Sequence, residues 1–128
     1  MDENKNLSEL SDSILSSVKK LIGINDDDTS FDMDIILNIN AAASTLYQLG
    51  VLQKPFTVSS KKDIYDDMLP EGSEDVINQV KMYFVYKTRI GFDSASLTGT
   101  MIQTIKELIS EAEWRLMVSS NPNNIFES

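Results

Sequence analysis

The apolar residues at the start of the chain recur at intervals of three and four, the spacing of one face of a helix. This face contains Leu7, Leu10, Ile14, Val18 and Leu21. Lys19 and Lys20 stand in the last turn, where cations interact favourably with the helix dipole, and Gly23 follows as a C-cap. The pattern predicts a helix over residues 8–22, with both lysines on its polar side.

A second helical period follows a turn-rich acidic segment and predicts a long helix over residues 31–50. Its apolar positions include Ile35, Ile36, Ile39, Ala42, Ala43, Leu46, Tyr47 and Leu49. Thr29 or Ser30 is expected to cap its start, and Gly50 its end. The small residues at 41–44 allow another helix to approach closely.

The segment 51–72 follows neither the helical nor the strand period, and Pro55 and Pro70 interrupt it. We expect a short extended piece at 56–58 and one or two helical turns within 63–69. The sequence therefore predicts an irregular insert between the second and third helices.

The third helix is expected to begin at Ser73 as its N-cap and to break at residues 90–94, which include Gly91. Its apolar residues lie almost all round, which is typical of a helix that is central or covered by a partner chain. The fourth helix follows residues 95–100 and ends in the polar segment 119–124. It carries one stripe with Leu97, Met101, Ile105, Leu108 and Ala112, and a second with Ile102, Ile109 and Leu116.

These elements predict an all-α fold, a small bundle of four main helices with an irregular insert between helices 2 and 3. We expect a single helical domain over residues 1–118 and a polar C-terminal tail over 119–128. No apolar run approaches the roughly 20 residues that span a bilayer, and the polar, acidic first residues do not have the pattern of a signal peptide. A soluble cytoplasmic protein is expected.

Composition excludes several kinds of chemistry. The chain of 128 residues contains no His and no Cys, so neither a His-based nucleophile system nor a His/Cys metal site is available. With 20 Asp and Glu against 11 Lys and Arg, the formal charge is −9. This acidic balance argues against non-specific nucleic-acid binding and against attachment to anionic membranes.

The first acidic segment, residues 26–34, has the oxygen ligands that calcium prefers. Its spacing does not fit an EF-hand, because a loop that starts at Asp26 has Phe31 at the sixth position and Leu37 at the twelfth. A solvated loop followed by carboxylates in the first helical turn accounts for the segment without a metal.

The second acidic segment contains Asp63, Asp66, Asp67, Glu71, Glu74 and Asp75. Paired carboxylates can hydrolyse glycosides. Here they lie in a turn-like segment with no aromatic groove beside it, so a solvated or partner-facing surface is favoured. The glycines are scattered singly and form no phosphate-binding loop. No catalytic residue, metal ligand or cofactor is predicted.

Several aromatic residues fit the apolar stripes poorly. Tyr83 and Tyr86 widen the apolar face of the third helix, and Trp114 falls outside both stripes of the fourth. Core packing is the default for each, but aromatic residues are enriched at subunit interfaces. We therefore hypothesise a subunit or partner interface that contains Tyr83, Tyr86 and Trp114, together with Ile125 and Phe126 of the tail.

Asn40 interrupts the apolar face of the second helix. A buried amide at this position could fix the register with a neighbouring helix. It could equally lie at the edge of the apolar stripe, and the sequence leaves both interpretations open.

Three stretches form an ordered pattern along most of the chain. The first is Val18-Lys19-Lys20-Leu21-Ile22-Gly23-Ile24 with its acidic loop, the second covers residues 34–51, and the third covers 80–93, 105–109 and Glu113-Trp114-Arg115-Leu116. Over residues 18–118 their order resembles the phage head–tail connector (adaptor) family, small helical proteins beneath the portal of tailed phages. Where that family often has proline after Phe92-Asp93, this chain has Ser94-Ala95-Ser96.

The resemblance implies a structural virion protein at the head–tail interface, present in the host cytoplasm during assembly. It implies a homo-oligomeric ring, roughly twelve-fold, that docks beneath the portal protein and extends the DNA channel. DNA would pass without specific binding, and the ring would offer an attachment surface to a stopper, head-completion or tail protein. No enzymatic activity and no membrane contact are implied. We expect the acidic surface at 63–75 to face the channel or the lower rim.

An alternative is a small acidic regulator or DNA mimic that binds a basic partner. Mimicry needs regularly spaced carboxylates, whereas those of this chain cluster in loops. A carboxylate enzyme is a third and weaker interpretation.

Overall fold

The computed structural model describes residues 13–120, which form five α-helices and one 3₁₀ turn. The elements are α1 (Ile14–Ile22), α2 (Asp32–Gln48), α3 (Tyr65–Met68), α4 (Glu74–Asp93), the 3₁₀ turn (Ser94–Ser96) and α5 (Gly99–Ser120). Within these residues there is no β-strand, and one isolated bridge pairs Ser13 with Ile64. The predicted all-α bundle of four main helices is confirmed, and α3 supplies the expected helical turn inside the insert.

Helix α4 lies at the centre of the bundle. Helices α1, α2 and α5 each pack against it. Its residues Val80, Tyr83, Phe84 and Val85 are buried, and the Phe84 ring stacks on Tyr65 of α3 at a centroid distance of 6.4 Å. The wide apolar coverage of this helix therefore has a cause within the chain, because three neighbours cover different parts of its circumference.

The helix ends follow the predicted glycine and serine signals in several places. Gly23 and Gly50 have φ angles of 86° and 83°, the left-handed conformation that a glycine adopts most easily, and each follows the end of a helix as predicted. The Ser73 hydroxyl accepts a hydrogen bond from the Val76 amide at 3.2 Å, which confirms the predicted cap of α4. These local signals could be predicted because each depends on only a few neighbouring residues.

Helix α1 begins later than predicted. Ser13 has an extended backbone, and its hydroxyl accepts a hydrogen bond from the Ser16 amide at 3.2 Å, so the helix starts at Ile14 rather than at residue 8. The earlier part of the predicted helix lies outside the described residues.

The predicted cap of α2 is wrong. Neither Thr29 nor Ser30 caps this helix, because the N-cap position is occupied by Phe31, whose side chain makes no capping hydrogen bond. The Thr29 carbonyl accepts from the Asp32 amide at 3.2 Å, and the Phe31 ring instead meets Phe92 edge-on at 5.2 Å. Phe31, which contacts α4 through Phe92, thus occupies the N-cap position at which a polar residue was expected.

The break predicted at residues 90–94 falls at the end of that range, because α4 continues through Gly91 to Asp93 and the 3₁₀ turn begins at Ser94. A Cβ atom added at Gly91 would collide with the side-chain amide of Asn38 on α2. This glycine therefore permits close approach between α4 and α2 and does not end the helix.

Helix α5 is covered on one side. Leu116 is its one buried residue among those described, and Ile109 and Ala112 are partly buried against the core. Met101, which shares a predicted stripe with Ala112, is exposed. The helix runs to Ser120, so the expected domain boundary at 118 falls inside its last turn. The rest of the expected tail lies outside the described residues.

Tyr65 provides a test of the packing between the insert and α1. Its hydroxyl is 2.7 Å from the Ser17 hydroxyl, and burial raises its pKa above the ordinary value of 10.0. Because the fold favours the protonated phenol, its contribution to stability is complete below pH 10 and is lost as the pH rises further. We expect this loss to reach about 1.4 kcal/mol per pH unit.

The Tyr65→Phe variant isolates this contribution, because it shares every other titrating group with the parent chain. It should be about 1 kcal/mol less stable than the parent chain at pH 7, because phenylalanine cannot form the hydrogen bond to Ser17. The difference should shrink above pH 10 and reverse at higher pH. Urea unfolding of both proteins between pH 7 and 11.5 measures this change, and a constant difference across that range would contradict it.

Candidate interaction surfaces

An apolar groove lies between the end of α1, the middle of α4 and the first half of α5, and we call it the α4–α5 groove. Its volume is about 410 Å³, and apolar side chains form most of its lining: Leu21, Met82, Val85, Met101, Ile105 and Leu108. Met101, Ile105 and Leu108 of α5 form one wall, and Leu21, expected on the packed face of α1, is instead exposed at the other.

Arg89 lines the same groove and is its one cation. Its Nε atom is buried and has no hydrogen-bond partner, and no ion pair joins its guanidinium to another side chain that the structure describes. A buried N–H without an acceptor costs about 1–3 kcal/mol, so an external acceptor at this place would be stabilised. Arg89 could not be identified from the sequence, because nothing in the apolar period shows which side of α4 stays open.

The second exposed apolar feature is the outer face of α2, which we call the α2 ridge. It consists of Met33, Leu37, Ala41 and Ser44. Met33 and Leu37 are 69% and 61% exposed. Leu37 lies about half a turn from the buried Ile35 and Ile39, so the ridge projects away from the core.

The groove and the ridge lie on opposite sides of α4. Gly91 and Phe84 mark the side of α4 that faces the core and α2. The groove residues Met82 and Arg89 each lie two positions away from these, about half a helical turn round. The chain therefore presents a concave apolar face and a convex one in different directions.

The hypothesised aromatic interface is only partly exposed. Tyr86 is half-buried and lines the α4–α5 groove, and Trp114 is 58% exposed on α5 outside that groove. Tyr83 requires a correction, because it is 0% exposed and lies in the core of its own chain. Ile125 and Phe126 lie outside the described residues.

Tyr83 serves the packing of α4 against α5. Its hydroxyl donates to Glu113 Oε2 at 2.7 Å. Burial is the main cause that raises the pKa of Tyr83, and the hydrogen bond to Glu113 raises it further. A phenol in this position binds two helices of one chain together, which explains why its aromatic character gave a misleading signal for an interface.

The carboxylates of the second acidic segment are mostly on the surface. Asp66, Asp67, Glu71, Glu74 and Asp75 are exposed. Asp63 differs from them, because it is half-buried and its Oδ2 accepts hydrogen bonds from the Ser59 and Ser60 amides at 2.7 and 3.1 Å. Residues 13–120 contain no group of three carboxylates arranged to hold a metal ion.

Asp67 and Glu71 also line a second, wider groove. It has a volume of about 810 Å³ and lies between the insert, the start of α4 and Ser120 at the end of α5. Its mixed polar and apolar lining distinguishes it from the α4–α5 groove. Part of the acidic surface is therefore concave.

The first acidic segment is held to the protein by Lys19, which is only 1% exposed. Its Nζ donates to the Asp26 carbonyl at 2.9 Å and forms an ion pair with Asp32 Oδ1 at 2.8 Å. The Ser16 hydroxyl adds a hydrogen bond to Asp26 Oδ1 at 2.7 Å. The expectation that Lys19 lies on the polar side of α1 and that this loop is merely solvated is corrected, because the loop folds over the lysine.

Asp28 lies in the same loop, and its side chain is exposed. Hydrogen bonds from Ser30 lower its pKa below the ordinary value, and one of them comes from the Ser30 amide at 3.1 Å. The carboxylate therefore stabilises the turn itself.

Asn40 has a role that neither interpretation of the sequence predicted, because its side chain binds the backbone of the insert. Its Nδ2 donates to the Val58 carbonyl at 3.0 Å, and its Oδ1 accepts from the Val58 amide at 2.7 Å. The side chain thus mimics a strand partner and fastens the insert to α2.

These observations describe an all-α protein whose buried polar groups support the fold and whose two grooves and α2 ridge remain open. No helix within residues 13–120 has both the length and the apolar character needed to cross a membrane.

The family profile described as phage connector protein matches residues 14–123, and the chain belongs to this family. This match confirms the resemblance found in the sequence. No curated protein and no solved structure gives a significant match. Connectors are structural proteins of the phage virion, and membership implies association with the portal and other phage structural proteins.

Proposed function

We propose that this protein is a ring-forming head–tail connector that docks beneath the portal, extends the DNA channel and provides the attachment surface for the stopper or tail. The observation that carries the proposal is the family match, which covers the whole described fold. The ring would be roughly twelve-fold, to match the portal, and would form in the host cytoplasm before it becomes part of the virion.

The two apolar faces support a ring over a simple dimer. A two-fold dimer uses one surface that contacts itself, whereas a ring needs two different surfaces that meet head to tail. The α4–α5 groove and the α2 ridge differ in shape and lie on opposite sides of α4. This is the arrangement that a head-to-tail contact requires.

The acidic surface supports a channel through which DNA slides without binding. Phosphate affinity comes from clustered Lys and Arg, and a formal charge of −9 provides the opposite. The five exposed carboxylates between Asp66 and Asp75 are proposed to face the channel or the lower rim. Asp63 is proposed to shape the turn that carries them, since its carboxylate accepts two backbone hydrogen bonds.

The remaining aromatic residues are proposed to contact other chains. Tyr86 would do so within the groove, and Trp114 at a separate surface of α5 that a downstream head-completion or tail protein can reach. Ile125 and Phe126 of the tail are proposed to contact a partner as well. We propose no catalytic activity and no cofactor for this chain. The regulator or DNA-mimic alternative gains no support from the second acidic segment, whose exposed carboxylates lie in the insert and at the start of α4.

A phage that lacks this protein tests the proposal. We expect it to produce DNA-filled heads without tails, and the purified chain should restore infectivity when it is added to those heads. Electron microscopy of the portal mixed with the chain should show an additional ring on the portal. Normal tail attachment in its absence, or a chain that ignores the portal and captures a basic protein, would contradict a connector role.

A further inference from the structure

We propose that the α2 ridge of one copy occupies the α4–α5 groove of the next copy, and that Asp34 at the ridge pairs with Arg89 in the groove. This inference rests on the proposed ring and deepens it, because it names the two surfaces that meet in each subunit contact. The occupant of the groove is a second copy of this chain.

Shape supports this pairing. Met33 and Leu37 are separated by four positions on α2, a rise of about 6 Å along one side of the helix, so both side chains can enter the same groove. Helices commonly bind partners in this way, with apolar side chains one turn apart placed in an apolar groove. Ala41 and Ser44 continue the ridge with small side chains, which allow the rim of the groove to approach the α2 backbone.

Charge supports the same pairing and fixes its direction. Asp34 follows Met33 directly, is exposed and forms no ion pair with any residue between 13 and 120. Arg89 carries a buried Nε without an acceptor inside the apolar groove. A carboxylate that enters with the ridge would accept a charge-assisted hydrogen bond from this guanidinium. The groove thus lacks an acceptor that the ridge carries beside its apolar residues.

Cross-linking tests the contact, because the chain contains no Cys and every disulfide must come from an introduced residue. Leu37→Cys and Met82→Cys copies, mixed and assembled on the portal under mild oxidation, should form a disulfide between the two variants. The double variant should form a ladder of linked copies. Lys62→Cys, at an exposed position of the insert, is the matched control and should not link to Met82→Cys.

The outcomes separate this inference from the proposed function. Rings on the portal without a link between Leu37→Cys and Met82→Cys, or with an equally strong link from Lys62→Cys, would overturn the pairing and leave the connector role standing. Rings in which Met82→Cys links to a portal cysteine would assign the groove to the portal and likewise overturn it. Failure to form any ring on the portal would count against the connector role itself.

A charge exchange tests the polar part of the contact. Arg89→Glu and Asp34→Lys should each reduce ring assembly on the portal by about tenfold or more. A mixture of the two variants should restore assembly, because an alternating ring places opposite charges at every contact. A mixture that assembles no better than either variant alone would contradict the pairing, and circular dichroism of each variant shows that both are folded.

Discussion

Replacing Lys19 with methionine is expected to lower the free energy of unfolding by about 3 kcal/mol, because it leaves the Asp32 carboxylate without its cation. The lysine is buried, and its ammonium group joins α1 to the Asp26 carbonyl and the Asp32 carboxylate. Methionine keeps most of the aliphatic packing but cannot donate a hydrogen bond. Urea unfolding followed by circular dichroism measures the loss.

Lys20 is the matched control for this variant, because it is the next residue of the same helix and is exposed. Lys20→Met should change the stability by no more than about 0.5 kcal/mol. Equal effects at the two positions would show that the loss comes from charge or helix propensity and would contradict a specific role for Lys19. We also expect faster proteolysis of the acidic loop in Lys19→Met alone.

The Asn40→Ala substitution is expected to lower the free energy of unfolding by about 2 kcal/mol, because two hydrogen bonds to Val58 are lost together. Val58 is buried, so its amide and carbonyl cannot recover equivalent bonds to water without opening the insert. Trypsin should then cleave faster after Lys61 and Lys62, which lie in the same insert. Thermal unfolding and limited proteolysis measure the two effects.

Asn38→Ala provides the comparison on the same helix. The Asn38 side chain donates to the Asp34 carbonyl within α2 at 2.9 Å and makes no hydrogen bond to the insert. Asn38→Ala should lower the free energy of unfolding by less than about 1 kcal/mol and should leave trypsin cleavage at Lys61 unchanged. If both asparagine variants behaved alike, the insert would not depend on the amide of Asn40.

The helices and their ends could be predicted where the cause is local. The apolar periods identified four helices, and Gly23, Gly50 and Ser73 marked ends that the structure confirms. Residues within a few positions of each other set these features. The same local rule failed at Gly91, since a glycine that ends one helix permits close packing in another, and only the position of Asn38 distinguishes the two.

The surfaces could not be predicted because they depend on which neighbour covers each face. Helix α5 carries two similar apolar stripes, and nothing in their composition indicates that Leu116 packs inward while Met101 stays exposed. The burial of Lys19 and of Tyr83 could not be predicted for the same reason, because each is covered by residues beyond its own helix. A polar or aromatic residue acquires its role from these residues, and one sequence does not specify them.

The central position of α4 has a consequence for how this protein can change in evolution. Helices α1, α2 and α5 pack mainly on α4. Within one chain, substitutions on the outer faces of α2 and of α5 therefore act on separate contacts, and their effects on the free energy of unfolding should combine additively. A change on one flank must suit the surface that it meets on the next copy, whereas a change in α4 must satisfy three packing surfaces within its own chain. We expect related chains to vary most on the flanks and least along this helix.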